Sequence, residues 1–154
     1  MNREVCNLID RLRLVEHPEG GWYREIYRSP IIVSTPFGDR SAATTILFLL
    51  DSTTFSAFHK LRQEEIWQFC EGDPLEIHTL SHDGFHEQAE VGPENRVLSV
   101  RPNFQQAAKT TRAYTLCTCT VVPGFEFQDF EMQNREVLLR DYPQHADLIM
   151  RFTR

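Results

Sequence analysis

The chain has no long hydrophobic run. Its longest uninterrupted apolar stretch is Ile46-Leu47-Phe48-Leu49-Leu50, far short of the roughly 20 residues a membrane-spanning helix needs. Residues 1–20 carry charges throughout and contain no apolar core of a secretory leader. A soluble cytoplasmic protein without a membrane partner is the expectation. Positive charge is also scarce: 16 Lys and Arg face 22 Asp and Glu, for a net charge of −6. No basic cluster offsets this balance, and such a chain repels a phosphate backbone, so nucleic acid is not expected as a partner. The four cysteines, Cys6, Cys70, Cys117 and Cys119, follow neither a C-x-x-C nor a zinc spacing. They read as free, mostly buried thiols in a reducing compartment. There is no internal repeat, low-complexity run or linker, and 154 residues suit one domain spanning 1–154 with a core of its own.

What the chain does have is aromatic and β-branched residues in short runs. Eleven phenylalanines favour an aromatic-lined β interior. An apolar i, i+3, i+4, i+7 pattern at Val5, Leu8, Ile9 and Leu12 predicts one amphipathic helix over residues 2–14, with Asn2 as its N-cap. His17-Pro18-Glu19-Gly20-Gly21 stops it. Strands follow over 22–28, 42–50, 54–58, 75–80, 85–91, 97–100, 105–109 and 114–122, with a short one at 31–33, separated by turn residues at roughly eight- to twelve-residue spacing. Phe125, Phe127 and Phe130 read as a plug for one end of the core. Two short helices close the chain, over 134–141 and up to Phe152. The count describes an all-β sandwich or jelly roll with helices only at its ends.

The stretch 56–80 organises the rest. It reads as strand, short turn, strand, Gly-Asp-Pro turn, strand. His59 precedes the first turn and Glu65 follows it, among Phe55, Phe58, Leu61, Ile66, Trp67 and Phe69. Polar groups converging inside an apolar barrel are the usual makings of a small-molecule site. Trp67 and Phe69 share strand parity with Glu65, so they can wall a cavity; Cys70 has the opposite parity and points away.

These features resemble the cupin superfamily, and within it the small cupin-5 or DUF985 family. Leu14-Val15-Glu16-His17-Pro18-Glu19-Gly20-Gly21-Trp22-Tyr23-Arg24-Glu25 is similar to that family's opening signature. Phe58-His59-Lys60-Leu61 with Glu64-Glu65-Ile66-Trp67 and Gly72-Asp73-Pro74-Leu75 resembles its first motif. Tyr114-Thr115-Leu116, Val122-Pro123-Gly124-Phe125 and Asp129-Phe130-Glu131 resemble its closing signature. The resemblance implies a double-stranded β-helix, the cupin jelly roll, and a homodimer that covers exposed strand edges. It also implies a four-position ligand set, read here as His59, Leu61, Glu65 and Gln106. Leu61 and Gln106 are poor substitutes for imidazole, so no bound metal is expected. A weak divalent site at His59, Glu65 and Gln106 is the alternative.

The leading expectation is therefore a metal-independent small-molecule site, epimerase- or isomerase-like, acting on a sugar nucleotide or similar polar ligand. His59 is the expected base, oriented by Glu65. Gln106 is the expected hydrogen-bond donor, Trp67 and Phe69 the stacking walls, Arg24 the fork for a phosphate or carboxylate, and Tyr114 a further ligand contact. Two other readings stay open: a ligand-binding module without catalysis, and a metal-dependent cupin with a reduced ligand set. The role of His17 is open too, and His82 and His86 read as surface residues flanking a hairpin turn.

Overall fold

The computed structural model describes residues 2–154; Met1, where the expected domain span begins, lies outside the described residues. Helix α1 (Arg3–Leu12) starts where Asn2 accepts a hydrogen bond from the Glu4 amide, and it buries Val5 and Leu8. Among the described residues, thirteen strands follow the helix in order. The first five are β1 (Val15–Glu16), β2 (Trp22–Arg28), β3 (Ile32–Thr35), β4 (Gly38–Ser41) and β5 (Thr44–Asp51). The central stretch supplies β6 (Ser56–Leu61), β7 (Glu64–Gly72) and β8 (Leu75–Leu80). Next come β9 (His86–Val91), β10 (Val97–Val100), β11 (Gln105–Thr110), β12 (Tyr114–Val122) and β13 (Phe130–Met132). Helices α2 (Arg135–Asp141) and α3 (Ala146–Arg151) end the chain.

The strands form two facing antiparallel sheets, as an all-β jelly roll requires. One has the order β1-β2-β5-β12-β7-β10, the other β13-β6-β11-β8-β9, and β3 and β4 make a separate hairpin. Alternation along β7 sends Glu65, Trp67 and Phe69 inward and leaves Glu64, Gln68 and Cys70 exposed, because successive side chains of a strand point to opposite faces. Phe48, Leu50, Trp67, Phe69, Ile77 and Cys117 pack together between the sheets. The outer face of the second sheet is not left to water. Phe58, Leu80 and Ala107 pack there against Leu138, Ile149 and Phe152 of the C-terminal helices. Strand β6 is therefore buried on both sides, which explains why its sequence shows no clean apolar–polar alternation.

Strand β13 departs from expectation. Phe130, read as part of an aromatic core plug, instead opens a short edge strand paired with β6, with Phe130 opposite Leu61 and Met132 opposite His59. A buried network sets up this turn. Arg40 donates to Asp129 through Nε (2.7 Å) and Nη2 (2.8 Å), and Gln63 Nε2 donates to the same carboxylate at 2.7 Å. Phe127, one turn earlier, is 52% exposed.

Candidate functional site

Between the sheets, at the end where β6, β7 and β12 meet the loop before β2, lies a cavity of about 160 Å³. At its inner end stands His59, 2% exposed. Its Nδ1 lies 2.8 Å from the Ala57 carbonyl oxygen. A carbonyl only accepts, so Nδ1 carries a proton. Nε2 then faces two carboxylates, Glu19 at 3.3 Å and Glu65 at 3.9 Å. A bare lone pair there would repel both, so the geometry favours a second proton on the ring. Burial alone would lower the His59 pKa, but Glu19 first and then Glu65 outweigh it and push it up to about 9.

Glu19 is the residue that sequence periodicity did not supply. It sits in the turn between β1 and β2, where the His17 amide donates to the Gly21 carbonyl and the Gly20 amide to the His17 carbonyl. Gly20 (φ +116°) and Gly21 (φ +75°) are in the left-handed region, and a β-carbon at Gly20 would strike the Phe55 carbonyl. Glycine alone suits that backbone, and the turn so formed drops Glu19 into the barrel. The Glu19 carbonyl accepts from the Ala57 amide (2.8 Å) and from Arg154 Nη1 (2.6 Å), which ties the turn to β6 and to the C-terminus. Ser56 Oγ donates to Glu19 Oε1 at 2.7 Å. Burial pushes the Glu19 carboxyl up to about 7, with His59 opposing and Glu65 adding to the rise. His17, whose role the sequence leaves open, lies beside it. Its Nδ1 accepts from the Glu19 amide at 3.3 Å. Burial, aided by His59, lowers its pKa to about 3, so it is a neutral ring.

Gln106 does face inward, opposite His59 across β6 and β11. The Trp67 indole can only donate, and it donates to Gln106 Oε1 at 2.9 Å. This fixes the amide: its nitrogen donates to Glu65 Oε2. Trp67 and Gln106 thus form a relay that orients Glu65, and neither lines the cavity itself. Phe69 lies deeper in the core, with Arg96 over its ring at 5.4 Å. Tyr114 is at the opposite end of β12, where its hydroxyl donates to Glu4 (3.2 Å) and burial raises its pKa to about 12.

Arg24 is exposed and stands outside the cavity. Strand parity puts its neighbours Tyr23 and Glu25 inside, and a register shift between Glu25 and Tyr27 then turns Arg28 inward too. Arg28 donates to Glu25 (2.7 Å), Glu126 (3.1 Å) and the Phe125 carbonyl (3.1 Å). Phe125, Phe127 and Phe130, read from the sequence as a core plug, instead line the cavity, with Phe48 and Tyr23 across from them. The chemistry outside this pocket also differs from expectation at His86. It is half-buried, with Nε2 3.0 Å from His78 Nδ1.

The four positions expected from the resemblance as a ligand set, His59, Leu61, Glu65 and Gln106, offer few donors in this geometry. Leu61 has no donor atom. Gln106 turns its nitrogen, not its oxygen, toward the site. Among the described residues, no group of three or more His, Cys, Asp or Glu is arranged to hold an ion.

Fold and pocket first define a class: a β jelly roll enclosing a small cavity with a buried imidazole between two carboxylates. Residues 6–133 match the family described as Cupin superfamily (DUF985), and the chain belongs to it. A hypothetical protein from Leishmania major is similar at 31% identity, with 95% of this chain and 96% of that one covered and a TM-score of 0.90. A protein from Shewanella oneidensis is similar at 33% identity, over 100% of this chain and 98% of its own, also with a TM-score of 0.90. Oxalate decarboxylase from Bacillus subtilis, at 11% identity, shares the fold over 89% of this chain and 36% of its own (TM-score 0.60). No curated protein matches the chain.

Proposed function

We propose that the cavity is a metal-independent proton-transfer site for a small organic ligand, with Glu19 as base and His59 as acid. The observation that carries this is His59 Nε2 held 3.3 Å from Glu19 and 3.9 Å from Glu65 at the inner end of the pocket. The expected roles shift accordingly. A doubly protonated ring donates rather than accepts, and a carboxyl raised toward neutrality is matched to taking a proton there. In a carbonyl compound, Glu19 removes the hydrogen on the adjacent carbon as a proton. The C–H electron pair becomes the new C=C bond, the carbonyl π pair moves onto oxygen, and His59 Nε2–H hydrogen-bonds the developing enolate. Return of the proton to either face gives isotope exchange or an epimer, with no co-reactant consumed.

The size of the pocket narrows the ligand. A cavity near 150 Å³ holds about as much as benzene, so 160 Å³ encloses a compact ligand or the reacting end of a longer one. The test is hydrogen–deuterium exchange of small carbonyl compounds in heavy water with chelator present. Exchange should fall at least a hundredfold in Glu19→Gln, a loss typical of removing a general base. Exchange that survives this change, or that needs added metal, would sink the reading. Binding without exchange in the unaltered protein would make it a binding module.

Homodimerisation and a cytoplasmic setting belong to the same reading. The outer edge of β2 beyond Tyr23 has no partner strand among the described residues. Ile26 (45%), Tyr27 (52%), Ile31 (65%) and Ile32 (63%) are exposed beside it, and a second copy would cover both edge and apolar side chains. Sedimentation equilibrium should show a dimer that Tyr27→Asp converts to monomer; a dimer unaffected by the change would place the interface elsewhere. The four cysteines are all free, which suits a reducing compartment. No helix among the described residues is long and apolar enough to cross a membrane.

A further inference from the structure

The charges and rings of the same cavity carry a statement about its ligand. Four carboxylates line it, Glu19, Glu25, Glu65 and Glu126, against two cationic groups, Arg28 and His59. Even with Glu19 counted as neutral, acids outnumber cations. Both cations are already engaged: His59 with Glu19 and Glu65, and Arg28 with Glu25 and Glu126. An incoming phosphate or carboxylate would find neither cation unpaired and a surplus of negative charge around it. The cost of burying a charge without a partner would then fall on the ligand.

The walls favour the opposite sign. Phe125, Phe127 and Phe130 form a contiguous set, with ring centroids 4.9 Å apart for Phe125–Phe127, 6.2 Å for Phe125–Phe130 and 6.3 Å for Phe127–Phe130. Tyr23 and Phe48 also line the cavity, linked to this set through the neutral His17 ring. Aromatic faces attract cations through the negative centre of the ring, and carboxylates nearby strengthen the attraction where water is excluded. Phe127, half exposed at 52%, leaves part of its ring at the rim uncovered by protein. Aromatic walls, surplus carboxylates and fully paired cations in one small cavity are what a small organic cation needs.

We infer that the cavity takes a small organic monocation, an amine or a quaternary ammonium compound. The inference rests on the pocket proposed above and adds the sign of charge its ligand carries. Three probes of nearly equal shape separate charge from size: tetramethylammonium, tert-butanol and pivalate. Each is titrated into the full chain by NMR, following the His59 ring and Trp67 indole signals. Tetramethylammonium should bind at least tenfold more tightly than either of the others. Glu25→Gln with Glu126→Gln should weaken it about tenfold while leaving tert-butanol unchanged. Equal or tighter binding of pivalate, or of tert-butanol, with His59 signals moving, would overturn the cation preference and leave the pocket standing. If none of the three moves the His59 signal, the cation inference and the proposed ligand pocket both fall.

Discussion

Replacing His59 with Leu is expected to destabilise the fold by about 3–5 kcal/mol at pH 8, the cost of removing one partner from a buried charge cluster. The imidazole, 2% exposed, is the cationic group between Glu19 and Glu65. Without it, two buried carboxylates share one site and at least one must take up a proton. The pH dependence identifies the cause. A carboxyl raised in the folded state from its ordinary 4.5 contributes full stability below that value and loses it as pH rises through the raised one. The variant should therefore lie nearest the parent protein at pH 5 and fall away as pH rises toward 8. Adding Glu19→Gln should restore much of the loss at pH 8. A deficit that is equal at pH 5 and pH 8 would mean that lost packing, not charge, is responsible. The parent protein follows the same sign: the stabilisation from His59 is complete below 6.5 and lost as pH passes about 9. Urea unfolding across this range measures both.

Phe152→Ala should cost about 3–5 kcal/mol, as for other large buried aromatics cut to Ala. The ring is 1% exposed and lies 5.8 Å from the Phe55 ring, 6.1 Å from Phe58 and 4.9 Å from His78. With Leu138 and Ile149 it latches the C-terminal helices onto the outer face of the second sheet. Two residues on, Arg154 holds the Glu19 and Phe55 carbonyls. Loosening the latch should then reach the cavity through the turn that carries Glu19. Urea unfolding gives the stability loss, and amide exchange should show faster opening of α3 than of β7. A loss below about 1 kcal/mol would mean the helices are held by other contacts.

Much of this architecture was legible because strands declare themselves by period. Alternation alone separates Glu65, Trp67 and Phe69 from Gln68 and Cys70, and β7 follows it. Asn2 and Asn134 cap helices through their side chains, which is local chemistry that any sequence reading can reach. The breaks in the reading are where period stops informing. Glu19 lies in a turn read as a helix stop, and its place depends on Gly20 and Gly21, the first of which lies against the carbonyl of Phe55, 35 positions further on. Arg24 and Arg28, which strict alternation would put on one face, part because a register shift in β2 between Glu25 and Tyr27 reverses side-chain parity. Phe125, Phe127 and Phe130 look like core by composition. They line the cavity because Arg40 and Gln63, distant in the chain, hold Asp129 and with it the turn between them.

By itself the sequence determined the jelly roll, the family and the inward direction of His59 and Glu65, since these follow from periodicity, turn residues and short motifs. Only the tertiary structure decided the chemistry of the site. The His59 proton depends on two carboxylates brought in from a loop and from a strand of the facing sheet. The orientation of Gln106 depends on an indole across the barrel. The excess of negative charge at the mouth depends on Arg28 meeting Glu126. Protonation states and charge balance are set by distances between groups far apart along the chain, and those distances exist only once the two sheets close on one another.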